Sequence, residues 1–160
     1  MRLLKRRSIR VASIAAAVAI LVGSFATPAS AQTIYTAYAH KTSTDPTGGS
    51  PISFPGAMNC APVVYKSQVR GDACFRATGD KFYVRDTDAD GYRVEMRGLG
   101  NWSGTPGFLC DDNLGKAAGW TVCDGWASTI PENWELVLWV TVWNGNTELA
   151  AEQWGPTSTG

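Results

Sequence analysis

Histidine is almost missing from this 160-residue chain: His40 is the only one, and it sits in a stretch of loop-like composition. Hydrolases that use a histidine base need that residue beside a nucleophile, and nothing around His40 supplies one. Transition-metal sites are excluded on the same ground, because the four cysteines show no C-x-x-C spacing and have no histidine near them. Charge is scarce as well, at 18% of residues against about 25% in an average soluble domain. Long apolar runs are also absent. The longest candidate, Val11 to Val22, is interrupted by Ser13 and followed by Gly23 and Ser24, short of the roughly 20 residues a membrane-spanning helix needs. No segment sustains a 3.6-residue apolar period, which removes amphipathic helices from the expected fold.

The amino terminus has a clear order. Arg2, Lys5, Arg6, Arg7 and Arg10 precede the apolar run, and small residues lead to Ala29-Ser30-Ala31, the arrangement of a secretory signal peptide over residues 1–31. The zero formal charge of the chain depends on that segment. Cleavage after Ala31 removes five basic residues and no acidic one, leaving nine basic against fourteen acidic, a net charge of −5. An acidic extracellular protein without a basic surface is not expected to bind nucleic acid, and without a polybasic anchor it is not expected on a membrane. The first cysteine is Cys60, too far downstream for a lipoprotein.

Export gives the cysteines a meaning. In an oxidising compartment Cys60, Cys74, Cys110 and Cys123 form a framework of two disulfides. Of three pairings the sequential one, Cys60 with Cys74 and Cys110 with Cys123, is expected, since each bridge closes a short segment containing glycine or proline. Residues 32–59 are rich in Thr, Ser, Gly and Pro and read as a flexible arm, with Ile34 to Tyr38 able to add one strand. Residues 60–156 form one β-domain and 157–160 a tail.

Within the domain, Val63 to Tyr65 and Gln68 to Arg70 are short strand candidates. Phe82 to Arg85 and Tyr92 to Arg97 alternate on either side of the Asp86–Gly91 turn and predict a hairpin, with Phe82, Val84, Tyr92, Val94 and Met96 inward. The strongest element is Trp134 to Trp143, ten residues of β-formers followed by Asn144-Gly145, a preferred pair for a type I′ turn. With those two residues as the turn, Trp143 pairs with Asn146, Thr141 with Glu148, Trp139 with Ala150, Val137 with Glu152 and Glu135 with Trp154. One face then carries Trp134, Leu136, Leu138, Val140, Val142, Leu149 and Ala151. The other carries Trp139, Trp143 and Trp154 among Glu135, Glu148 and Glu152. The fold class is all-β, a small antiparallel sandwich or barrel.

From Ala73 onward the pieces Ala73-Cys74-Phe75, Gly79 to Val84, Asp86 with Ala89-Asp90-Gly91, Cys110, Gly119 to Cys123 and the closing strand-Asn144-Gly145-strand resemble a set of small exported actinobacterial proteins of unknown function. The resemblance implies export and a small β-domain. It carries over no catalytic residue, because turns, cysteines and strand alternation are what it rests on.

Three constellations bear on chemistry. Asp86, Asp88 and Asp90 with Gly91 match the first half of a calcium loop, but Arg97 stands where the bidentate Glu belongs; an Asp-rich turn is the favoured account of them. Glu135 and Glu152, diagonal neighbours in the register above, have the spacing of a glycosidase pair, with no cleft to tune them. Trp139 and Trp143, four apart on one strand, place two rings about 13 Å apart, which suits an extended polysaccharide or a flat protein surface. Packing under a second sheet is the competing account of those rings. Trp120 reads as disulfide packing, while Trp102 and Trp126 are open. The expectation is a monomeric, non-catalytic, cofactor-free binding domain contacting extracellular polysaccharide or protein through Trp139, Trp143, Trp154, Glu135, Glu148 and Glu152. The alternatives are a small glycoside hydrolase and an inhibitor or surface-associated factor presenting the Asn101–Pro106 loop.

Overall fold

The computed structural model describes residues 32–43, 45–46, 58–101 and 105–159; the signal-peptide segment, the centre of the arm and Trp102 lie outside them. Ten strands build two sheets: β1 (Ile34–Tyr38), β2 (His40–Lys41), β3 (Met58–Tyr65), β4 (Gln68–Arg76), β5 (Lys81–Asp86), β6 (Arg93–Gly100), β7 (Gly107–Asp112), β8 (Thr121–Cys123), β9 (Glu135–Asn144) and β10 (Thr147–Ser158). The first sheet has the order β1-β7-β6-β9-β10 and the second β2-β8-β5-β4-β3. All pairings are antiparallel except β1 with β7. Both sheets are open, so the fold is a sandwich and not a closed barrel.

The core lies between the sheets. Phe75, Phe82 and Val84 from the second sheet meet Val94, Met96, Phe108, Leu136, Leu138, Val140 and Val142 from the first, all at most 1% exposed. Trp126 joins them, its ring at 4.8 Å from Phe82 and 5.8 Å from Phe108. Two glycines fit the sheets together reciprocally. A Cβ at Gly98 in β6 would lie 2.7 Å from the Phe82 ring, and one at Gly71 in β4 would lie 2.7 Å from both Val94 methyls. Each sheet thus offers a hole for a side chain of the other. Gly98→Ala should cost about 1–3 kcal/mol by overpacking, read as a drop in the chemical-denaturation midpoint with an unchanged slope.

Four expectations are corrected. Phe82–Arg85 and Tyr92–Arg97 do not pair as a hairpin: β5 belongs to the second sheet and β6 to the first. Alternation fixes which residues face inward, and those residues do meet, but across the core. The loop between them is held by Arg70, whose Nη1 donates to the carboxylates of Asp88 and Asp90.

The C-terminal hairpin is correct in the core face of β9 but shifted in register, so Ala151, expected inward, lies exposed opposite Thr141, and Ala150 opposite Val142 packs on the core instead. Asn144 pairs with Thr147, so Gly145 and Asn146 form the turn, and only Gly145 has positive φ (57°), the sign pattern of a type II′ turn. A bulge between Glu148 and Ala150 shifts the register again. A second irregularity between Trp154 and Thr157 contains Gly155 at φ 109° and Pro156, which has no N–H for the ladder.

The strand that the sequence allows at Ile34 to Tyr38 is present as β1 beside β7, and the flexible arm is corrected at His40–Lys41, which pairs as β2 with β8. The tail is corrected too. β10 continues to Ser158, and Thr159, 3% exposed, donates from its hydroxyl to the Pro131 carbonyl and from its backbone N–H to Trp134.

The disulfides are Cys60–Cys74 and Cys110–Cys123, with no free cysteine. Cys60 and Cys74 sit opposite each other on β3 and β4, within one sheet. Cys110 on β7 and Cys123 on β8 join one sheet to the other. No helix among the described residues is long and apolar enough to cross a membrane.

Candidate functional site

The outer face of the first sheet gathers the polar and aromatic residues of β6, β7, β9 and β10. Odd-numbered positions of β6 point there because Val94, Met96 and Gly98 point to the core. In register, Arg93 lies beside Trp143, Glu95 beside Thr141 and Arg97 beside Trp139; on the far side Glu95 meets Asp111, and Asp111 meets Tyr38.

Glu95 is the centre of this face. Although it points outward it is 3% exposed, because two guanidiniums fold over it: Arg93 Nη2 donates to Oε1 at 2.5 Å and Arg97 Nη2 to Oε2 at 3.1 Å. Arg93 Nε also lies 3.2 Å from Asp111 Oδ1, and Arg97 Nη1 lies 3.7 Å from Glu148. The hydrogen bond to Glu95 raises the Arg93 pKa. Burial pushes the Asp111 carboxyl up, Arg93 opposes that shift, and the charge of Glu95 adds to it. The Trp143 ring covers both guanidiniums, with centroid distances of 5.4 Å to Arg93 and 4.9 Å to Arg97, and its Nε1–H donates to Thr141 Oγ1 at 2.8 Å. Such interlocked cation–π and charge-assisted contacts hold long side chains in one conformation. The two guanidiniums are thus set among three carboxylates, those of Glu95, Asp111 and Glu148.

Trp139 and Trp143, half-buried, and Glu148, exposed, occupy this face as expected. Glu135 is also on it, accepting from Asn101 Nδ2 at 3.0 Å. Trp154 and Glu152 are not. Trp154 pairs with Leu138 and packs against the core, its indole N–H buried without a partner, while Glu152 pairs with Val140 on the inward-pointing side of the exposed edge strand. The register shift moves both, so Glu135 and Glu152 fall on opposite faces. The residues missed in the sequence, Arg93, Glu95, Arg97, Asp111 and Tyr38, come from strands whose sheet partners were not legible there. Tyr38, at 69%, is the most exposed large hydrophobic side chain among the described residues.

The other candidates resolve differently. Asp88 and Asp90 are held by Arg70, and the Asp86 carboxylate accepts the Asp88 backbone N–H at 2.9 Å, so the loop is an Asp-turn with a guanidinium between two of its acids. Among the described residues no group of three or more His, Cys, Asp or Glu side chains is placed to hold a metal ion. His40 is exposed in β2, 3.8 Å from Asp124. Trp120 does pack on a disulfide: it clusters with Cys74, Tyr83 and Cys60 on the outer face of the second sheet, under Arg85 at 4.6 Å. That face is closed, since Tyr83 and Trp120 are 2% and 7% exposed.

The molecule is thus a disulfide-bonded two-sheet β-sandwich with one rigid aromatic and ionic outer face. Comparison with known proteins leaves it at that class, since no family model, curated protein or solved structure matches the chain.

Proposed function

We propose that this chain is an exported, non-catalytic domain that binds an uncharged polysaccharide across the outer face of its first sheet. The observation that carries the reading is the Arg93–Glu95–Arg97 comb fixed beneath Trp143, with Trp139 beside it and Tyr38 across the sheet. Sugar rings stack their C–H faces on aromatic rings and present hydroxyls that both donate and accept. A surface of preformed ion pairs offers partners of both kinds without reorganising. Tyr38 lies three strands from β9, about 14 Å at the usual strand spacing, so the aromatic residues span several sugar units. The paired charges disfavour a polyanion. The basic and apolar start of the chain and its two disulfides support export. The glycosidase reading loses its geometric basis with the separation of Glu135 from Glu152.

Depletion of the protein from solution by insoluble cellulose, xylan and chitin, with quenching of indole fluorescence, tests the proposal. Trp143→Ala and Trp139→Ala should each weaken binding roughly tenfold or more, in the range of aromatic anchors. Trp154→Ala should lower stability and leave the affinity of the folded protein unchanged. No depletion by any of the three polysaccharides, or full affinity in both Trp143→Ala and Trp139→Ala, overturns it.

A further inference from the structure

A second site, chemically unlike the first, lies where the loop between β5 and β6 meets the loop after β7. A cavity of ≈ 430 Å³ opens there, lined among others by Asp86, Tyr92, Asp112, Asn113, Leu114 and Lys116. Two carboxylates lie buried at it. Asp112 is 0% exposed and Asp86 4%. Asp112 Oδ1 accepts the Leu114 backbone N–H at 3.0 Å, whereas its Oδ2 is buried with no hydrogen-bond partner. An orphaned buried carboxylate oxygen costs a few kcal/mol, and native proteins retain such atoms chiefly where something else meets them.

No cation of the folded chain meets this one, although the Thr121 hydroxyl and the Asp86 backbone N–H lie close enough to the Asp112 carboxyl to oppose part of its upward shift. Among the described residues no Lys, Arg or His nitrogen lies within ion-pair distance of Asp86 or Asp112. Arg93, which also lines the cavity, is committed to Glu95 and Asp111, and Arg70 to Asp88 and Asp90. Burial and the proximity of Asp86 push the Asp112 carboxyl up to about 6, and Asp86 is raised likewise, first by burial. Both groups are in want of a positive partner.

We propose that this cavity binds a small ligand through a primary ammonium group seated between Asp112 and Asp86. An ammonium brings three N–H donors and a compact charge, enough to satisfy Asp112 Oδ2 and neutralise the pair in one step. The cavity is far larger than an ion needs and falls in the usual range of small-molecule sites. Tyr92 and the 46% exposed Leu114 give an apolar wall for the carbon skeleton that carries the amine. A bare divalent cation is less well served, because two carboxylates are all the ionised oxygen the cavity buries and calcium takes six to eight ligands. Amino sugars and lysine side chains share this chemistry.

Thermal melts and amide chemical-shift titrations of the signal-cleaved chain at pH 7.5 and matched ionic strength provide the test, with four probes: glucosamine, Nα-acetyl-lysine amide, N-acetylglucosamine and calcium chloride. At least one of the two amines should raise Tm and shift the Tyr92 and Leu114 amides, and N-acetylglucosamine, whose amine is blocked, should do neither. Asp112→Asn should weaken the amine response at least tenfold. If that variant does not fold, Asp86→Asn serves in its place. Whichever amine acts alone identifies a sugar or a peptide source. Silence toward both amines, an undiminished response in the folded Asn variant, or a response to calcium alone overturns the proposal.

Discussion

Replacing Cys110 and Cys123 together with alanine should destabilise the folded chain by about 3–5 kcal/mol, whereas the same change at Cys60 and Cys74 should cost about 2–3 kcal/mol. The bridges close loops of nearly equal length, with sequence separations of 13 and 14, so loop-closure entropy alone predicts the same loss for both. The native state separates them. Cys110 and Cys123, 0% and 1% exposed, fill space within the main core and tie β7 of one sheet to β8 of the other, so alanines leave a cavity between the sheets. Cys60 and Cys74 sit on an outer face, and their strands remain zipped by the β3–β4 ladder. Urea unfolding of the two double variants checks the order; equal losses would show that the unfolded chain accounts for the whole effect.

The second large effect is on pH dependence. The Asp80 and Asp112 carboxyls both stand at about 6, each raised chiefly by burial, with Glu132 adding to the first and hydrogen bonds partly opposing the shift in the second. Both have an ordinary value of 3.8 when the chain unfolds. Between these limits the folded state holds more protons than the unfolded one, so the stability these two groups contribute is fully present below about pH 4, falls as pH rises from there, and is lost once pH has passed through about 6. The fall amounts to on the order of 3 kcal/mol by pH 7.5 for the two groups together, or about 10 °C in Tm for a domain of this size. Asp80 faces Glu132. Asp112 faces Asp86 from β5 and Thr121 from β8, with Lys116 and Arg93 across the cavity. Asp80→Asn and Asp112→Asn should each flatten part of the slope between pH 5 and 7.5. A Tm that climbs steadily across that interval would contradict the assignment.

The sequence shows inward-facing positions far better than partners. Phe82, Val84, Val94 and Met96 are inward as the period-two pattern requires, because one-sided burial is a local property of a strand. Which strand lies beside which is not local. The Asp86–Gly91 turn reads as a hairpin loop and is a crossover between sheets, a distinction that depends on Arg70 reaching it from β4. The Trp face shows the same limit. Trp139, Trp143 and Glu148 follow from alternation within β9 and the first residues after the turn, while Trp154 and Glu152 turn over because the bulge at Leu149 moves every following residue of β10 to the opposite face. Arg93, Glu95 and Arg97 are visible in the sequence as an alternating charged row, but the aromatic partner that gives the row its meaning lies on β9, more than forty residues away.

The first strand of the described chain also bears on how the protein is made. β1 pairs in parallel with β7 and β2 pairs with β8, so the first described strands must wait for strands some seventy to eighty residues downstream. Contacts that distant in sequence slow folding, because loop closure comes before any of the pairing that rewards it. Neither sheet can complete this edge until β7 and β8 are in place. The Cys110–Cys123 bridge joins the partner strands of β1 and β2, so one covalent link fixes the distance between the two strands on which the start of the described chain must dock.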